Sequence, residues 1–182
     1  DQLLPMTIAD MDIATPQFIR EAMQRVLNKK VLGYTTPSTG FYNAIIRWQK
    51  THHDVSLKRD QLIIVPSIAV GLSFVIRNLT QKNDGIIVMS PYYPPYRQLV
   101  VDNQRQFVEF PLVQREGQYV IDFNRLDAVM ADSQNKAIIV CNPHNPGGCV
   151  WTTTELQRLQ DIAHAPHVLV LADEIHDDVA FS

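Results

Sequence analysis

The rhythm of apolar and polar positions changes along the chain. Near its start Phe18, Ile19, Ala22, Met23, Val26 and Leu27 recur at helical spacing. Thr15 can cap that helix and Pro16 suits its first position. A turn-rich break, Gly33-Tyr34-Thr35-Thr36-Pro37, precedes a second helical pattern over residues 39–52, with Phe41, Ala44, Ile45 and Trp48 on one face. Short unbroken apolar runs then appear at residues 62–65, 86–89, 137–141 and 168–172. None alternates polar with apolar, which is the pattern of strands covered on both faces. Helix-period segments at residues 68–79, 94–101, 123–130 and 154–163 separate them, and residues 107–113 form a further strand candidate. Such alternation predicts an α/β layer with a mostly parallel sheet. The break near Gly33 is the candidate domain boundary.

Composition narrows the classes. The 182 residues are 46% hydrophobic and 19% charged, enough apolar material for a buried core. Sixteen basic residues against 19 acidic give a net charge of −3, and no basic run exceeds Lys29-Lys30, so nucleic acid is not an expected partner. With no signal peptide and no long apolar run, the expectation is a soluble, cytoplasmic chain with no membrane partner. No two of the seven glycines are separated by a single residue, so the dinucleotide and P-loop glycine motifs are absent and any phosphate must be held another way. Cys141 and Cys149 form neither a C-x-x-C pair nor a disulfide framework. The chain opens at Asp1 without an initiator methionine and stops at Ser182, just past an acidic cluster. Both ends read as cut.

Ligands of open parallel sheets bind outside the carboxyl ends of the strands, so the residues following each apolar run carry the chemistry. Pro66-Ser67-Ile68-Ala69 opens a helix after the first run. Ser90-Pro91-Tyr92-Tyr93-Pro94-Pro95-Tyr96 follows the second, Asn142-Pro143-His144-Asn145-Pro146-Gly147-Gly148 the third, and Asp173-Glu174-Ile175-His176-Asp177-Asp178 the fourth. A helix start, an aromatic face, an amide and a carboxylate suit a flat, phosphorylated heteroaromatic ligand. Plainer readings stand beside this one. Ser67 is an ordinary N-cap, the tyrosines pack a loop, and the Asn-Pro steps mark turns. A helix start can nevertheless hold phosphate through its free N–H groups. Asp173 directly follows an apolar strand, and a partly desolvated acid there calls for a partner. Asp173, His176 and Asp177 could alternatively ligate a metal, whereas Cys141, His144 and Cys149 match no standard zinc spacing; no metal is expected.

Taken together the segments resemble the fold-type I pyridoxal 5′-phosphate enzymes of aminotransferase class I/II, in the cystathionine β-lyase/C–S lyase branch. LPMTIADMDIATP at the start, LGYT at 32–35, SPYYPPY at 90–96, CNPHNPGGCVW at 141–151 and ADEIHDD at 172–178 carry the likeness. The resemblance implies residues 1–32 contributing to a small domain and residues 33–182 forming the first part of the cofactor-binding large domain. It implies that Asp173 pairs with the pyridine nitrogen, Asn145 donates to the phenolic oxygen, and Tyr93 stacks on the ring. His176 occupies a position where many relatives carry a tyrosine contacting that same oxygen. Backbone N–H groups of Ile68 and Ala69 would hold the phosphate, Tyr34 would reach the phosphate of the neighbouring subunit of a homodimer, and Ala9 and Asp10 would lie near the carboxylate of an amino-acid substrate.

Three departures bear on that implication. Thr7 stands where the family usually has a tryptophan, and Cys149 where an arginine is common. The Schiff-base lysine, expected beyond the Asp-Glu-Ile-His segment, is missing: the six lysines are Lys29, Lys30, Lys50, Lys58, Lys82 and Lys136. The expectation is therefore the front portion of a longer β-lyase that releases thiol, pyruvate and ammonia, with no turnover by this portion alone. An aminotransferase shares every contact named, and a non-catalytic module on the same fold is the alternative from another class.

Overall fold

The computed structural model describes residues 12–180. Two compact units divide between Ile63 and Ile64, downstream of the Gly33 turn.

The first unit holds helices α1 (Gln17–Leu27) and α2 (Thr39–His53). Pro16, not Thr15, precedes the first turn of α1, without a side-chain cap. Ser38 caps α2 by accepting from the Phe41 N–H at 3.2 Å. Asp54 ends α2 in the left-handed region (φ 55°) and is reached by the Lys50 ammonium. Tyr42 is its one buried apolar side chain among the described residues, under the Arg59 guanidinium 3.2 Å from its ring centroid.

The second unit is a layered α/β sandwich. Four parallel strands lie in the order β2-β1-β5-β6: β1 (Gly85–Ser90), β2 (Gln106–Pro111), β5 (Asn135–Cys141) and β6 (Leu169–Asp173). A small antiparallel hairpin, β3 (Val113–Arg115) and β4 (Gln118–Val120), follows β2. The helices are α3 (Ile68–Leu79), α4 (Pro95–Asp102), α5 (Phe123–Met130) and α6 (Thr153–His164). Successive strand residues point to opposite faces, so the continuous apolar runs feed two cores. Ile86, Val88, Ala137, Ile139 and Leu171 pack with Leu72 and Ile76 of α3 and with Tyr96 and Leu99 of α4. Ile87, Met89, Ile138 and Val140 pack with Phe123, Leu126 and Met130 of α5 and Leu159 of α6.

Two expectations change. Residues 62–65 form no strand: Ile63 and Ile64 are exposed and nothing pairs with them. The 107–113 candidate breaks at Leu112, whose N–H turns to the Ser90 carbonyl at 2.9 Å, and only Val113 onward joins the hairpin. Among the described residues no helix is long and apolar enough to cross a membrane.

Candidate functional site

From β1 the chain moves outward to β2, then returns to the other side of β1 for β5 and β6. The reversal makes a topological switch point, and the crevice beyond the carboxyl ends of β1 and β5 is where such sheets bind ligands. Helix α3 leads through a short turn into β1 while packing on it, so the two run antiparallel and the amino end of α3 reaches the same rim.

Asp173 ends β6 opposite Cys141, the last residue of β5. It shares Leu171's side of the sheet, facing α4, and is 5% exposed. Its Oδ2 accepts from the Tyr96 hydroxyl at 2.5 Å, and its Oδ1 accepts from the Ile175 N–H at 3.3 Å. No cation reaches it among the described residues. A buried carboxylate without a counter-charge is costly, so this donor set suits a cationic N–H from a ligand. Burial and the hydrogen bonds to Asp173 and Cys141 push the Tyr96 hydroxyl well above its ordinary range, so it stays a donor.

Contacts run outward from that pair. The Tyr93 ring meets Tyr96 edge-on at 5.6 Å and is itself exposed on its other side. On the β5 side Cys141 Sγ accepts from the Asn145 N–H at 3.4 Å, while the Asn145 amide group is without a hydrogen-bond partner among the described residues. Ser67 caps α3 by accepting from the Val70 N–H at 3.3 Å, which leaves the Ile68 and Ala69 N–H groups unclaimed. His176 is half-buried at the start of a short 3₁₀ turn. Asp173, Tyr93 and Asn145 thus form one connected set, with Ile68 and Ala69 at the same rim. Tyr34 is fully exposed in the first unit. Ala9, Asp10 and Thr7 lie outside the described residues.

The 142–151 loop is stitched from behind. The Trp151 indole N–H donates to the Cys141 carbonyl at 3.0 Å and its backbone N–H to Asn142 Oδ1 at 2.9 Å. His144, 3% exposed, places Nε2 2.8 Å from the Pro91 carbonyl and so ties the β5 loop to the β1 loop; its Nδ1 has no partner among the described residues. From local spacing alone Tyr96 belongs to an aromatic face and His144 is at most a zinc-ligand candidate. Cys141, His144 and Cys149 do not converge on a metal position, nor do Asp173, His176 and Asp177. A cavity of about 350 Å³ lies on the other side of the sheet, where Leu156, Leu159, Val168 and Val170 leave an apolar groove beside the β6 edge.

The parallel α/β sheet, with a buried acid that no cation reaches among the described residues, an amide, an aromatic face and a helix start at its carboxyl rim, has the architecture of fold type I. Residues 1–182 match the family described as aminotransferase class I and II, and the chain belongs to it. It is 34% identical over 176 residues to cystathionine beta-lyase PatB of Bacillus subtilis, covering 97% of this chain and 46% of that protein. It is 33% identical over 180 residues to protein MalY of Escherichia coli, covering 98% of this chain and again 46% of the relative. The crystal structure of cystalysin from Treponema denticola, which contains a pyridoxal 5′-phosphate cofactor, superposes with a TM-score of 0.92 at 32% identity, over 97% of this chain and 45% of that one. The chain therefore spans a little under half the length of the relatives it matches.

Proposed function

We propose that the protein containing this chain is a pyridoxal 5′-phosphate-dependent carbon–sulfur β-lyase, a homodimer acting on cystathionine or related cysteine S-conjugates. The observation that carries this reading is Asp173: a buried carboxylate at the switch-point rim with hydrogen bonds but no cation, joined through Tyr96 and Cys141 to Tyr93 and Asn145. Relatives named as cystathionine β-lyases favour elimination over amino transfer.

When bound, pyridoxal phosphate supplies an electron sink for the pair left at Cα of an amino acid. Asp173 holds a proton at the ring nitrogen through a charge-assisted bond in a water-poor setting. The Asn145 amide donates to the phenolic oxygen, beside the half-buried His176. Tyr93 covers one ring face. The Ile68 and Ala69 N–H groups, with the positive end of the α3 dipole, take the phosphate without a glycine loop. Tyr34 extends to the phosphate of the partner subunit. Residues 1–32 go with the small domain and residues 33–182 with the large one.

The second unit contains two lysines, Lys82 before β1 and Lys136 at the start of β5. Both stand at the amino ends of the strands, across a sheet roughly 20 Å deep for strands of this length. Neither reaches the Asp173 rim, and in this reading the Schiff-base lysine comes from outside this unit. The full-length protein incubated with cystathionine is expected to yield equimolar pyruvate and ammonia, and the 182-residue chain none. Amino transfer to a keto acid without pyruvate would identify an aminotransferase. A full-length protein that takes up no pyridoxal phosphate would instead be a non-catalytic module.

A further inference from the structure

Tyr96 enters the site from behind. Its ring is 4% exposed on α4, in the core formed with Leu99, Val100, Ile86 and Val88, and only its hydroxyl reaches the rim. There the hydroxyl donates to Asp173 Oδ2. The groups facing the pair are few. Cys141 comes from β5, the Ile175 N–H from beyond β6, and the Tyr93 ring from the β1 loop. None carries a formal positive charge. Within the described residues Tyr96 is therefore the one side chain that donates a hydrogen bond to the Asp173 carboxylate.

A proton shared between a carboxylate and a ring nitrogen sits with the stronger base. Donation by Tyr96 weakens the carboxylate as a base and leaves the proton on nitrogen. We propose that Tyr96 is a positioning residue of the cofactor site, whose hydroxyl, by donating to Asp173 Oδ2, keeps the proton of the Asp173–pyridine pair on the ring. The inference rests on the reading of Asp173 as the partner of the ring nitrogen. It adds a residue that touches neither substrate nor cofactor. Its signature differs from lost packing, because a tyrosine merely filling the core would leave the position of that proton unchanged.

The test uses full-length protein loaded with pyridoxal phosphate carrying ¹⁵N in the ring, with the nitrogen resonance as readout. In Tyr96→Phe the ratio of ring-protonated to ring-neutral forms should fall about tenfold, moving the resonance toward neutral pyridine. Asp173→Asn should move it in the same direction and further. If Asp173→Asn shifts the resonance and Tyr96→Phe does not, the proposal is overturned while the cofactor reading survives. If Asp173→Asn leaves it in place, or no cofactor is retained, the cofactor reading itself fails and this proposal with it. Should Tyr96→Phe not fold, 3-fluorotyrosine at position 96 keeps the shape and strengthens the donor. It is then expected to displace the resonance toward pyridinium, and an unchanged resonance overturns the proposal.

Discussion

His144 shows how a single side chain couples two loops that are 53 residues apart in sequence. Its imidazole is clamped by the Pro91 carbonyl, the Trp151 ring at 5.5 Å, and Gly147, where an added Cβ would lie 2.5 Å from the His144 ring. Glycine at 147 is thus a packing requirement, and an alanine there pushes against a ring that cannot retreat. Burial lowers the His144 pKa from its ordinary 6.5, opposed in part by hydrogen bonding with the Pro91 and Cys141 backbone. Because the unfolded chain takes up that proton more readily, the stabilising contribution is complete above pH 6.5 and is lost as pH falls toward the folded value. Urea midpoints are therefore expected to drop below pH 6.5 in the wild-type chain. His144→Gln, which cannot protonate, should flatten that acid limb while lowering the plateau. An equally steep limb in the variant would assign it to other groups. The sequence showed the Asn-Pro turns and the isolated acid after an apolar run, so Asn145 and Asp173 were legible. His144 and Tyr96 were not, because their partners come from other strand ends and no local spacing encodes them.

Among elements, legibility followed local chemistry. Helices α3 and α5 match the periodic segments residue for residue, since Ser67 and Asp122 cap them and the apolar stripe ends where they end. The start of α6 is likewise local, fixed by the reciprocal Thr152–Glu155 capping box. Strands fared worse at the margins, because a strand exists only with a ladder partner: residues 62–65 have the composition without the partner, and β4 has the partner without the composition. The carboxyl end of α3 depends on a distant residue. The Arg105 guanidinium donates to the carbonyls of Ile76, Arg77, Thr80 and Asn103 and to the Thr80 hydroxyl, tying the end of α3 to the turn after α4. A lysine carries the charge but lacks the fork. Arg105→Lys is expected to destabilise the chain by about 1–2 kcal/mol, read as a lower urea midpoint at unchanged slope. A change within a few tenths would show that water replaces the fork.

At the scale of the molecule, the two units differ in what they bury. The second contains both apolar clusters, and β1 and β5 are paired on both sides there, whereas among the described residues β2 and β6 each leave one edge unpaired. In the first unit the apolar stripe of α1 is exposed, with Phe18 at 70% and Met23 at 62%, and α1 has no buried residue. A stripe of that kind contributes little stability until something covers it, because isolated helices of this length are marginal in water. Protection against hydrogen exchange should follow this difference, since opening free energies track buried apolar contact and ladder completeness. In the 182-residue chain, amides of Ile86–Met89 in β1 and Ile138–Val140 in β5 are expected to exchange slowest, those of β2 and β6 faster, and those of α1 close to the unprotected rate. Mass-spectrometric exchange resolved by peptide reads this order directly. Protection of α1 equal to that of β1 would mean that its stripe is covered in solution, and a concentration series would then show whether a second copy of the chain covers it.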